Sequence, residues 1–177
     1  MTGRSFALSG FAALLLTGAV LAEPALPVAG PAVEEIKVGI FCALQSMAQQ
    51  PAPGTLSGWI RVPDGEIDFH WPDRQVVPAT LGLAFGVKAR LTPGLQVTQG
   101  EMRVFRPGST VPEDWATAFS DVEHSISFFR FDDESELITG IWRFEGWDGR
   151  TLLFSVDFEV VPAAALPTIV DACGAVA

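Results

Sequence analysis

Tyrosine is absent from this sequence, histidine and cysteine occur only twice each, and acidic side chains outnumber basic ones almost two to one. Each scarcity removes a class of function. With 11 basic residues against 21 acidic ones the formal charge is −10. Binding a phosphate backbone rests on clustered positive charge, so nucleic acid is not an expected partner. An anionic membrane surface is disfavoured for the same reason. There is no Gly-x-Ser-x-Gly elbow, no His-Glu-x-x-His helix and no phosphate-cradling Gly-Lys-Ser loop, and no cofactor is expected. No internal repeat and no βαβ rhythm occurs either.

Long apolar runs are confined to the first 22 residues. Arg4 supplies a positive start, "FALSGFAALLLTGAVLA" an apolar core, and Val20-Leu21-Ala22 a small-x-small exit. This is the pattern of a secretory signal peptide over residues 1–22. The apolar stretch falls short of the ~20 residues that a membrane span needs, so no stable insertion is expected after cleavage. No Arg-Arg pair precedes it, which points to general secretion and a periplasmic or secreted location. Residues 23–34, rich in Pro and Ala, read as a flexible leader, residues 35–162 as the single domain and residues 163–177 as a C-terminal tail. In an exported chain the even count predicts a disulfide between Cys42 and Cys173. It would tie the tail back across a loop of about 130 residues, for which chain entropy gives roughly 4–5 kcal/mol at most. The pair lacks the Cys-x-x-Cys spacing of a redox centre.

What remains is almost entirely β in pattern. "EIKVGIFC" sets Ile36, Val38, Ile40 and Cys42 against Glu35, Lys37, Gly39 and Phe41 with a period of two. "EIDFHW" places Ile67, Phe69 and Trp71 on one face, and "LGLAFGVKARL" alternates in the same way. "HSISFFRF" is apolar on both faces. Strands are predicted over 36–42, 66–71, 82–91, 101–106, 124–131, 139–146 and 151–161, with a mobile loop from Ala43 to Ser57. The one helical candidate is "STVPEDWATAF": Ser109 or Thr110 would cap it, Pro112 suits its first turn, and Trp115 and Phe119 would share a face. About seven strands with one short helical insert indicate an all-β, antiparallel, immunoglobulin-like sandwich.

The stretch "GIWRFEGWDGRTLLFSVDFEVV" reads as a hairpin. A two-residue Asp148-Gly149 turn would set Phe144 opposite Leu153 and put inward residues against outward ones. A three-residue loop of Trp147, Asp148 and Gly149 sets Phe144 opposite Leu152 and Trp142 opposite Phe154, with Gly149 left-handed. Trp142 is then core, and Trp147 sits at the loop tip.

The segment "VPATLGLAFGVKARLTPG", followed at a distance by this hairpin, resembles the bacterial family called domain of unknown function 3859. The shared motifs are Pro-x-x-x-Gly-x-x-Phe-Gly, here Pro78 to Gly86, and Gly-x-Trp-x-Phe, here Gly140 to Phe144. The likeness covers roughly residues 35 to 161. It implies a fold and no activity.

Function is therefore sought in a few constellations. His70 and His124 are the sole histidines, each near carboxylates, and would serve a metal site or a general base only if the fold joined them. "RFDDESEL" gathers Asp132, Asp133, Glu134 and Glu136, a carboxylate set that calcium could use. Its spacing does not fit the twelve-residue calcium loop, so a solvated turn is expected and no metal is assigned. Of the five tryptophans, Trp71 and Trp142 have core parity. Trp59, Trp115 and Trp147 are left as the binding candidates, with or without neighbouring carboxylates. The expectation is a non-catalytic binding or adaptor module contacting another envelope protein. Carbohydrate binding through exposed tryptophans ranks second and a metal-dependent enzyme third.

Overall fold

Alternating apolar residues build two sheets whose apolar faces meet. The structure is a computed structural model and describes residues 24–174. The signal peptide expected over residues 1–22 lies outside the described residues. The strands are β1 (Val28–Ala29), β2 (Val33–Cys42), β3 (Met47–Pro51), β4 (Trp59–Pro63), β5 (Trp71–Pro72) and β6 (Val76–Ala79). They continue with β7 (Leu83–Leu91), β8 (Val97–Phe105), β9 (Glu113–Phe119), β10 (Ser125–Arg130), β11 (Gly140–Asp148) and β12 (Thr151–Pro162). A short helix, α1 (Pro167–Gly174), is the last described element. One sheet runs β1-β12-β11-β8-β9, the second runs β10-β7-β2-β5, and β3 and β4 form a separate hairpin. The expected all-β sandwich forms, with one departure from antiparallel pairing: β6 lies parallel to the outer edge of β12.

The core is aromatic and centres on Phe85 of β7, which is fully buried. Its ring meets Trp142, Phe144 and Phe158 of the facing sheet at 5.9, 5.6 and 5.1 Å between centroids. The edge-on geometry of these three pairs suits the ring quadrupoles. Trp142 is core as expected, and its ring N–H donates to the Ile138 carbonyl at 2.8 Å. Cys42 and Cys173 are bonded, and the buried Ile169 and Cys173, four apart on α1, seat the helix on the core.

Several expectations are corrected. The helix read into Ser109–Phe119 is instead strand β9. Glu113, Trp115, Thr117 and Phe119 all turn inward, and a spacing of four fits a strand face as well as a helix face. The polar Glu113 and Thr117 hid the two-residue period. The loop expected over Ala43–Ser57 holds β3, because the outer face of the second sheet is apolar too. Met47 packs there with Phe41 and Ala84, beside Ile126 and Phe128. The strand expected over residues 66–71 pairs only at Trp71, opposite Ile40. Its alternation survives unpaired: Ile67 is buried and Phe69 covers Gly39, where a β-carbon would stand 2.5 Å from the ring. The leader, from residue 24 onward, is docked rather than loose. β1 pairs with Phe154 and Ser155, and the Gly30 N–H donates to the Leu153 carbonyl at 2.7 Å.

The hairpin register also differs from expectation. Asp148 pairs with Thr151 across a two-residue Gly149-Arg150 turn, and Gly149 is left-handed at φ 55°. A bulge at Leu153 then shifts the ladder, so Gly146 faces Phe154, Phe144 faces Val156 and Trp142 faces Phe158. Gly146 permits this, since a β-carbon there would lie 2.4 Å from the Phe154 ring. Trp147 therefore lies within β11 opposite Leu152, half-buried, and not at a loop tip.

Replacing Trp142 by Ala is expected to cost about 3–5 kcal/mol in urea unfolding, the loss typical of a buried aromatic. A change below about 1 kcal/mol would contradict its place between the sheets.

Candidate functional site

β9 and β10 are the outer strands of the two sheets and follow one another in the chain. The β3–β4 hairpin lies beside them, and a groove of roughly 680 Å³, open mouth included, runs between the three elements. Trp59 of β4 and Trp115 of β9 both line it, with Phe128 and Phe129 of β10 as floor. Trp59 keeps 49% of its surface exposed, whereas Trp115 is half-buried against the core. Phe129 packs on Trp142 at 4.8 Å between centroids, so the groove floor rests directly on the inter-sheet core.

Apart from Glu136, which accepts backbone N–H groups, the charged residues around the groove are paired with one another. Asp132 receives Arg61 at 3.0 Å and Arg130 at 2.6 Å. Glu113 pairs with Arg106 and also accepts the Leu56 N–H at 2.9 Å. The Arg106 guanidinium lies 5.1 Å from the Phe129 ring centre and 5.2 Å from that of Trp142. Nothing in this set is a free general base or nucleophile. The arrangement can desolvate and hold apolar or aromatic groups, with polar partners at the rim.

A second cleft continues along β9 and shares Ile60, Arg61, Trp115 and Phe128 with the first. Thr117 and Ser127 line it. The Ser127 side chain is buried and its hydroxyl has no hydrogen-bond partner.

No family model matches the chain, and no curated protein matches it. Among solved structures it is similar to an immunoglobulin-like protein of Pseudomonas aeruginosa, with 17% identity and a TM-score of 0.46, over 77% of this chain and 98% of that one. The site accordingly stands on its own residues.

Of the three binding candidates, the fold joins Trp59 and Trp115 and leaves Trp147 apart. Trp147 faces outward from the first sheet, where its ring N–H donates to Glu145 at 3.0 Å and Arg103 stacks over it at 4.7 Å. The acidic segment is a capped turn. The Asp133 carboxylate accepts the Ser135 N–H at 2.9 Å, and Glu136 accepts the N–H groups of Asp132 and Asp133. Hydrogen bonds from Ser135 hold the Asp133 carboxyl below its ordinary range. With Asp132 bound to two arginines, Asp132, Asp133, Glu134 and Glu136 do not converge on one ion. Among the described residues no group of three or more His, Cys, Asp or Glu is placed to hold a metal.

The histidines have no partner in common. His70 Nδ1 accepts the Cys42 N–H at 2.9 Å, and His124 Nε2 meets Glu35 at 2.8 Å. Phe128, Phe129, Arg61 and Arg130 were not singled out in the sequence. The two-sided apolar pattern of "HSISFFRF" was the signal, because a strand that is apolar on both faces must be covered on both.

Glu35 of β2 links β7 and the residue that precedes β10, receiving Arg90 and His124 as well as its strand neighbour Lys37. Hydrogen bonds from His124 and then Lys37 hold its carboxyl below the ordinary 4.5. A depressed carboxyl adds stability that is present above the unfolded value and lost as pH falls through the folded one. Melting temperature is therefore expected to fall on acidification below about pH 4.5, with Asp121 and Asp133, also depressed, contributing. Glu35→Gln should make that fall shallower. An identical profile in the variant would show that these bonds add nothing to folding.

Proposed function

We propose that this protein is a non-catalytic binding module of the cell envelope, which grips a segment of another envelope protein in the groove between β4, β9 and β10. One observation carries the reading. Trp59 and Trp115, remote in sequence, line one groove together with Phe128 and Phe129, and the arginines around them are paired with Asp132 and Glu113. Interface cores have this make-up: aromatic rings enriched, with unpaired charge scarce at the centre. A periplasmic or secreted location is supported by the signal-like opening of the sequence and by the disulfide, a bond at home in oxidising compartments. Among the described residues no helix is long and apolar enough to cross a membrane.

Glycan binding is the second reading. It is favoured by the nearness of Arg61 and Asp132 to two tryptophans, since sugars are held by ring stacking and hydroxyl contacts. It ranks second because those polar groups are spent on one another.

The test is a parallel screen of the purified protein against a random linear-peptide library and an array of envelope glycans. Peptides are expected to bind the wild type and Trp147→Phe alike, and Trp59→Ala at least about tenfold more weakly, a loss of about 1.4 kcal/mol. Glycan binding that depends on Trp59, without peptide binding, would transfer the groove to sugar. Binding of neither, or binding indifferent to Trp59, would refute the groove as the site.

A further inference from the structure

The outward edge of β9 is open at Ala116 and Ala118 and held at either end, by Gly54 beside Asp114 and by the Leu91 N–H, which donates to the Ser120 carbonyl at 2.8 Å. The Asp114 N–H points away from β8 and donates to the Gly54 carbonyl at 3.2 Å. Backbone direction alternates along an antiparallel ladder, so Ala116 and Ala118 also turn their N–H and C=O groups outward. From Trp115 to Phe119 there is no charge and no proline, although these are the usual means of keeping an exposed edge from pairing. The opposite edge of the same sheet is treated differently, since β12 is covered by both β1 and β6. The loop carrying Gly54 already makes one rung on β9, which shows that a backbone carbonyl fits there.

Two further observations describe what would fit. Ser127 is 4% exposed, it lines the cleft that runs along this edge, and its hydroxyl has no hydrogen-bond partner. A buried hydroxyl without a partner costs stability and is relieved by one from a ligand. The unpaired charge along this edge is acidic: Arg61, Arg130 and Arg106 are spent on Asp132 and Glu113, whereas among the described residues no ion pair reaches Glu136, which lines the groove, or the exposed Asp114 of β9. Exposed Leu56, Val111 and Trp59 add apolar surface near the Glu113 end.

We infer that β9 takes an extended, basic segment of another protein as an added strand. Alternate apolar side chains of that segment enter the Trp115–Phe128 cleft, and a polar group of it meets Ser127. The inference rests on the protein-binding reading of the groove and adds the mode and the chemistry. Backbone pairing supplies affinity in such strand addition, and pockets for alternate side chains supply selectivity. A second copy of this chain suits the edge poorly, because it would bring another formal charge of −10 against an acidic rim.

The probe is a fluorescein-labelled octapeptide of alternating Lys and Val, compared with its Glu–Val counterpart and with versions N-methylated on either alternate set of backbone nitrogens. Ala116→Pro removes only an outward N–H and leaves the rungs to β8, so circular dichroism should report a folded protein. The Lys–Val peptide is expected to bind, more weakly as salt rises, and about tenfold more weakly to Ala116→Pro. One of the two N-methylated peptides should lose as much, which carries the test even if the proline variant fails to fold. The Glu–Val peptide should not bind. Lys–Val binding that survives both backbone changes but is lost in Trp59→Ala would overturn strand addition and leave the groove reading standing. No Lys–Val binding at all would overturn the inference, as would a dimer in sedimentation that Ala116→Pro abolishes, since the edge would then belong to a second copy.

Discussion

Everything else in this molecule hangs on the contact between Phe85 and the three rings that face it from β11 and β12. Phe85 also touches Phe129 and Phe131 of its own sheet, so one side chain links both layers of the sandwich. Close-packed aromatic interiors tolerate little displacement. Once Phe85 is placed, the spacing and alignment of the two sheets follow, and so does the height of β10 relative to β9. The groove is tied to that arrangement, because Phe129 lines it and packs on Trp142.

The second sheet is unusual in being apolar on both faces. Its inner face meets the first sheet, and its outer face carries Phe41, Ala84, Ile126 and Phe128. Burying an apolar face is worth roughly 25 cal/mol per Å², so leaving it wet would weaken a domain of modest stability. The β3–β4 hairpin and the segment holding Ile67 and Phe69 supply the cover. Core cover and groove thus have the same origin, since the hairpin that shields Phe41 and Ala84 also brings Trp59 to the groove that Trp115 lines.

Legibility in the sequence followed how local each constraint was. β2, β7 and β11 show clean alternation and Trp142 was read as core; in β12 Phe154, Val156, Phe158 and Val160 were read as core, whereas the bulge buries Leu153 where Leu152 was expected. β9 was misread because Trp115 and Phe119 satisfy both helical and extended spacing, and only pairing with β8 chooses between them. The hairpin was misregistered because a bulge adds one unpaired residue, and the fit of Gly146 beneath Phe154 that favours it is a contact across strands. At the site, Trp59 and Trp115 were singled out as separate rings. Their meeting depends on the order of strands within each sheet, which no local pattern encodes.

By itself the sequence determined the β character, the parity of its clean strands and the pairing of Cys42 with Cys173. Those are matters of period, composition and count. Only the tertiary structure decided that β9 is a strand at a sheet edge, that Trp147 stacks on Arg103 away from the other candidates, and that the arginines around the groove are spent on Asp132 and Glu113. Apart from the local pairs Arg130–Asp132 and Arg106–Glu113, those facts are set by residues tens of positions apart, brought together by the fold.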